Sequence, residues 1–398
     1  MENNIRLKRN VYKNYIFTLL QSLDFTRGIW MIYLASKGMS LTQLGLLETI
    51  FHTTSFLMEV PTGAVADLFG RKISRILGRV LSLISVILLL TANSFLWFAV
   101  SFVFTALSYN LESGAGDALI YDSLKEIGEE EKYMKINGNK ELFYQSAGII
   151  SFFVGGYLAT KSYNIAFLLT VVIGIITIVQ SLTFKEPSVG RVNTKEENEN
   201  IFVKQLKESI KVVISKPKVG FLILFTQVIM AFCTCIFFYL QNYLKGNGYT
   251  EWRIGIIYAI SSLTVALLAT QVHSIEKRIK EQGLLLIVPF FTVVCIWGVA
   301  LSKYNYMFFI LLMLTEEIIY VSMSDYVNKM IPSENRATIL SFASMVFSFF
   351  MITLFPFIGL IGDKFNLTTA FKCLAMLGSI LVIVNAVILI SRKRNNAK

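Results

Sequence analysis

Apolar runs about as long as a lipid bilayer is thick recur along almost the whole chain, with only short polar breaks between them. That repetition excludes one very large soluble core. It also excludes water as the main solvent, since of 398 residues 55% are hydrophobic and only 16% charged, with a mean hydropathy of +0.61. The runs predict an all-α integral membrane protein with twelve transmembrane helices. The first six are expected at 13–36, 41–67, 74–93, 95–123, 139–161 and 164–184. The second six are expected at 219–244, 249–273, 282–302, 304–330, 338–362 and 366–391.

The first run is long, contains Asp24 and Arg27 and lacks a small-residue cleavage site, so it is expected to stay as a span rather than be removed as a signal peptide. Cys233, Cys235, Cys295 and Cys373 all fall inside spans, and the first two point to different sides of one helix. Neither disulfides nor a metal site is implied. The net charge of +11 fits the positive-inside rule better than nucleic-acid binding. With both termini cytoplasmic, about 28 of the 37 Lys and Arg fall in cytoplasmic segments and about seven in outer loops. Trp30, Trp97, Trp252 and Trp297 then lie toward the outer ends of their helices, as an interfacial belt would place them. The expected location is the cell membrane, with the chain multi-pass and monomeric.

Residues 185–218 break the pattern, with Glu196, Glu197, Asn198, Glu199 and Asn200 among several lysines. They read as a cytoplasmic linker between an N-terminal bundle, 1–184, and a C-terminal bundle, 219–398. Within the linker Phe202, Leu206, Ile210 and Val213 fall at helical spacing, as either a solvated linker helix or a helix lying on anionic lipid. The two bundles carry a faint repeat. Gly155, Ala166 and Phe167 match Gly359, Ala370 and Phe371 at one constant offset, which also relates Glu112 to Glu316. This favours two pseudo-symmetric halves around a central path.

Between the second and third spans the chain reads Gly63-x-x-x-Asp67-x-x-Gly70-Arg71-Lys72. The glycines permit a tight turn and close helix approach, and Asp67 can pair with Arg71 at the membrane surface. This loop resembles the signature of the major facilitator superfamily, here closest in pattern to its bacterial drug/proton antiporter-like branch, and the topological match covers the whole chain. The resemblance implies that the loop holds the two halves together in the outward-open state. It also implies that Asp122, at the inner end of the fourth helix, joins Asp67 and Arg71 in a charge cluster against the start of the eleventh helix. A topogenic positive loop without a gating role is the plainer alternative.

Departures from the family pattern are equally informative. Where many members carry an arginine in the fourth helix, this chain has Asn110, followed by Glu112, Ser113, Gly114, Ala115 and Gly116. The Gly-Pro pair of antiporters is replaced in the fifth helix by Ser151 and Phe152, with Gly155 and Gly156 kept. In the second half the loop signature has decayed to Ile275-Glu276-Lys277-Arg278.

Charges inside spans form the functional shortlist, because each costs about 2.5–3.5 kcal/mol at a helix centre and so faces a partner or water. Asp24 and Arg27 are three apart and predict a pair on one helix face, either structural or coupled to transport. Glu48 with His52 one turn later makes an acid and imidazole pair able to share a proton, or one that touches solvent at the outer helix end. Glu59 and Arg79 lie at comparable depth and are expected to be mutual partners. Glu112 and, in the tenth helix, Glu316 and Glu317 would face each other across the pseudo-two-fold in the family's arrangement. Carboxylates at such positions suit reversible proton binding. Aromatic residues make up 13% of the chain, and those near the acids would line a cavity for an amphipathic or cationic compound, although most serve packing and lipid contact.

Two other classes are weaker. Gly114-Ala115-Gly116-Asp117 and Tyr121-Asp122 spell the strings of an intramembrane aspartic protease. The two aspartates, however, lie about 140° apart around one helix and about 7.5 Å along it, which forbids a dyad. No nucleotide-binding loop appears, so an enzyme is not expected and energy must come from a gradient. A channel lacks a repeated filter or pore loop. The expectation is therefore a secondary transporter without cofactors. It takes a small-molecule substrate, with protons as coupling ion and the lipid bilayer as partner. Efflux of a drug-like compound is preferred, with proton-coupled uptake of a small metabolite as the alternative.

Overall fold

The computed structural model describes residues 2–188, 215–331 and 336–395. The helical-spacing residues Phe202, Leu206, Ile210 and Val213, and with them the proposed surface helix, lie outside the described residues. Among the described residues the chain is all-helical. In order the helices are α1 (Glu2–Ser22), α2 (Trp30–Ser36), α3 (Leu41–Phe69), α4 (Arg71–Thr91), α5 (Phe95–Glu126), α6 (Tyr133–Lys161) and α7 (Tyr163–Leu182). There follow α8 (Pro217–Gly246), α9 (Glu251–Ala269), α10 (Val272–Leu301), α11 (Asn305–Met330), α12 (Arg336–Lys364) and α13 (Leu367–Asn395).

Ten of these, α4 to α13, are long and apolar enough to cross a membrane. In α3, polar residues such as Gln43, Glu48 and His52 lower the hydropathy. The first predicted span differs most from expectation. Helix begins at Glu2 rather than 13, because Leu7, Asn10, Val11 and Asn14 form a buried face under the exposed Arg6, Lys8 and Arg9. Val11 and Phe17 pack there with Leu119, Ile120, Leu124 and Phe184. The helix then stops at Ser22 and restarts at Trp30. Asp24 causes the break: its Oδ1 accepts from the backbone N–H and the hydroxyl of Thr26 at 2.9 and 2.6 Å, a turn that competes with the helix.

The chain divides into two compact units. Unit 1 takes the described residues of Met1–Lys37, Leu47–Phe202 and Thr250–Ala259, so it includes the first half of α9. Its main helix pairs are α4 with α5, α4 with α7, and α1 with α6. Unit 2 takes Gly38–Leu46 and the described residues of Val203–Tyr249 and Ile260–Lys398, so it includes the first turn of α3. Its main pairs are α10 with α11, α10 with α13, and α12 with α8. The pairs correspond one to one, α4 with α5 to α10 with α11, α4 with α7 to α10 with α13, and α1 with α6 to α8 with α12, which is the pattern an internal repeat produces.

The repeat residues obey the same rule. Ala166 and Phe167 are fully buried, as are Ala370 and Phe371. A Cβ on Gly155 would stand 2.1 Å from the carbonyl oxygen of Phe25, and one on Gly359 would stand 2.3 Å from that of Leu41. Both glycines therefore mark a helix pressed against backbone. The tryptophans differ in their surroundings. Only Trp97 is exposed, while Trp30 is buried edge-on against Phe102 and the Trp297 indole donates to Ser379. These two tie neighbouring helices together, Trp30 joining α2 to α5 and Trp297 joining α10 to α13.

Candidate functional site

At the α3–α4 corner the motif residues come together as the sequence implied. Gly70 has φ +103°, the left-handed conformation that lets α3 end at Phe69 and α4 begin at Arg71. Asp67, one helical turn before Arg71, accepts from its guanidinium, and Asp122 on α5 stands 3.8 Å from Arg71 Nε. At Gly63 a Cβ would meet nothing within 4 Å among the described residues, so the close approach expected there is absent.

The sequence reading missed Glu186, just after α7. Its two carboxylate oxygens accept from the backbone N–H groups of Arg71 and Lys72, each at 2.7 Å. This is an N-terminal cap supplied from a distant segment, where the helix dipole favours negative charge. It also explains why no side chain fits at Gly70, whose Cβ would stand 2.7 Å from Glu186 Oε1. Placed in a charged linker, Glu186 gave no signal of its own. Glu186→Ala is expected to destabilise the α4 terminus by about 0.5–2 kcal/mol, read as a lower unfolding temperature of the solubilised protein. Glu186→Gln should recover part of that loss.

The second cluster is the buried core of unit 1, and its central residue was also missed. Arg75 stands at the start of the expected third span, 74–93, and was not singled out there; because α4 starts at Arg71, it lies one turn inside the helix and is only 1% exposed. Its guanidinium grips Glu112 of α5, with Nη2 to Oε1 at 2.8 Å and Nε at 3.1 and 3.2 Å from the two oxygens. Nη1 donates to Asn14 of α1 at 3.0 Å, and the rings of Phe17 and Phe184 lie 4.0 and 4.7 Å from the guanidinium carbon. The small residues after Glu112 have a reason here, since a Cβ on Gly116 would stand 2.8 Å from Glu112 Oε1. The spacing of Arg71, Arg75 and Arg79, four apart on one helix face, was the available clue.

Several expected pairs are replaced by others. Arg79 does not partner Glu59; it donates to Ser108 at 3.4 Å, and its Nε has no acceptor among the described residues. Glu59 is half-buried on α3, where Thr62 donates to its carbonyl. The Asp24 and Arg27 pair fails because the chain is not helical there: Asp24 is engaged by Thr26, and Arg27 lies over the rings of Tyr144 and Phe152. Glu48 and His52 do form a pair, 3.8 Å apart and each 7% exposed, so the solvent-contact reading is overturned. Asn110, in place of the family arginine, ties α5 to α3 through two hydrogen bonds with Ser55, each of 2.7 Å. The protease strings lead nowhere: Asp117 pairs with Lys140 on α6 while Asp122 faces Arg71 on α4.

In unit 2, Glu316 and Glu317 lie partly buried near the middle of α11. Cys233 of α8 and Cys295 of α10 are close by, and all four cysteines are free thiols. The degraded loop Ile275-Glu276-Lys277-Arg278 is helical and precedes a bend at Lys280, whose φ is +56°. There Glu276 has His273 3.4 Å away, and Lys218 pairs with Glu281.

The chain is 25% identical over 386 residues, 94% of each sequence, to an uncharacterized MFS-type transporter, YxaM, of Bacillus subtilis (strain 168). Among solved structures it resembles the nucleoside transporter NupG with a TM-score of 0.75 at 14% identity, over 98% of this chain and 99% of that one. It also resembles a bacterial homolog of the human lysosomal transporter Spinster, with a TM-score of 0.70 at 16% identity over 96% and 95% of the two chains. These likenesses establish the fold. A Major Facilitator Superfamily model matches residues 16–356. The chain therefore belongs to the major facilitator superfamily, as a multi-pass membrane protein and a secondary transporter of that type.

Proposed function

We propose that the protein exports a small amphipathic or drug-like compound in exchange for protons, by alternating access of two six-helix halves, residues 1–184 and 219–398, joined by the linker 185–218. The split α1 and α2 together, and α3, supply two crossings beside the ten apolar helices, with both termini cytoplasmic and a single chain as the working unit. The observation that carries this reading is the α3–α4 corner. Asp67 on α3, Arg71 on α4, Asp122 on α5 and Glu186 after α7 are tied by charge-assisted contacts, an arrangement of the kind a two-state gate uses. Acids at membrane depth, Asp24, Glu59, Glu112 and Glu316, supply candidates for the coupling proton, with Glu48 and His52 as a further pair.

Uptake by proton symport is the second reading. Asn110 and the Ser151-Phe152 pair favour it, because the features tied to antiport are replaced there by a helix-to-helix hydrogen bond and by Ser151 donating to the Ser22 carbonyl. Similar structures include nucleoside and peptide transporters, which extends the substrate range to small polar metabolites. Thermal-shift screening of the purified protein against a compound panel should reveal a ligand, which at about one hundred times its Kd stabilises by about 2.7 kcal/mol. That ligand should then move across reconstituted vesicles in a saturable manner against an imposed proton gradient. Movement in the same direction as protons would establish uptake, and a non-saturating current would contradict transport altogether.

A further inference from the structure

Charge at membrane depth is distributed unequally between the two repeats. In unit 1 the repeat acid, Glu112, is held by three hydrogen bonds from Arg75. The same offset that leads from Glu112 to Glu316 leads from Arg75 to Ile279 and from Arg79 to Gly283. Neither offset position holds a cation, and the nearest ones, Arg278 and Lys280, lie toward the start of α10, before the segment that ends at Leu301. Helix α11 packs on α8 and α10, and no Lys or Arg occurs in 219–244, 282–301 or 304–328. Among the described residues the titratable groups that act on Glu316 are Glu317 on its own helix and Cys233 on α8, with Cys235 of α8 and Cys295 of α10 beside Cys233. None of them is a cation. Among the described residues Glu316 itself has neither an ion pair nor a hydrogen bond.

A carboxylate in that position would be an uncompensated charge in low dielectric, whereas the neutral acid is tolerated. Glu112 is the opposite case, since protonating it would strand the charge of Arg75. We infer that Glu316 is the group that binds and releases the transported proton, and that Glu112 is a structural partner of Arg75. This rests on the proton-coupled reading above. The step is a simple one: the Glu316 O–H bond breaks when water or a cationic substrate reaches it, the electron pair stays on the carboxylate, and the proton leaves on water. The compound that displaces it carries an amine or another cationic group, because only a cation compensates the charge left behind.

The test uses the full-length protein in lipid nanodiscs and needs no substrate. Dicyclohexylcarbodiimide is an apolar reagent that adds to protonated carboxyl groups, and peptide mass spectrometry locates the adduct. Glu316 should be modified at acid pH and Glu112 spared, with Glu316 labelling falling by up to about tenfold per pH unit above its midpoint. Equal labelling of Glu112, or no labelling of Glu316 at acid pH, would overturn the assignment. A variant that fails to fold is no obstacle, because the reaction is read on the wild-type chain. Failure of pH-driven flux in vesicles counts against the transport reading alone, and failure to label counts against Glu316 alone.

Discussion

Arg75→Met should destabilise the protein by about 3–5 kcal/mol, the cost of leaving one partner of a buried ion pair uncompensated. Arg75 is almost wholly buried, and its removal strands Glu112 and the Asn14 side-chain Oδ1 at once. The loss should appear as a sharp fall in unfolding temperature and in the monodisperse fraction after extraction. The combined variant, Arg75→Met with Glu112→Leu, should recover most of it, because an apolar pair of similar volume carries no desolvation cost. If the single variant lay within about 0.5 kcal/mol of wild type, the Arg75–Glu112 pair would not be the centre of the unit 1 core.

The second large effect is expected at the repeat glycines. Gly155→Ala and Gly359→Ala each place a methyl group against a backbone carbonyl, at 2.1 Å from Phe25 O and 2.3 Å from Leu41 O. Overpacking costs about 1–3 kcal/mol where side chains yield, and backbone yields less, so both variants should lie at or above the top of that range. Gly63→Ala and Gly114→Ala are the controls, since a Cβ at either position meets nothing within 4 Å among the described residues. Comparable melting temperatures for all four variants would remove the argument that these glycines set helix packing.

Much of this architecture was legible because membrane spans are read from length and hydropathy, and most predicted ends lie within a few residues of the observed ones. The motif was legible too, since Asp67 and Arg71 stand four apart and Gly70 must turn. What escaped detection has a common physical origin. Leu7 and Val11 are hidden among Arg6, Lys8 and Arg9, so α1 reads as a polar tail although its inner face is buried. Arg75 stands at the very start of its expected span, beside the basic loop residues Arg71 and Lys72, and no local pattern shows that it turns inward to Glu112. Glu186 acts through backbone amides over a hundred residues away in sequence, which no local pattern reveals. The pairing of Asp24 with Arg27 assumed an unbroken helix, and Thr26 removed that premise.

On the proton-coupled reading proposed above, transport is driven through a carboxyl group at membrane depth. The most direct measurement is pH-driven flux of an identified substrate in vesicles reconstituted with Asp24→Asn, Glu59→Gln, Glu112→Gln and Glu316→Gln variants, each beside substrate exchange at equal pH. Glu316→Gln is expected to abolish the response to the pH gradient while exchange continues, since the neutral amide mimics the protonated carboxyl. Intact pH-driven flux in all four variants would contradict it.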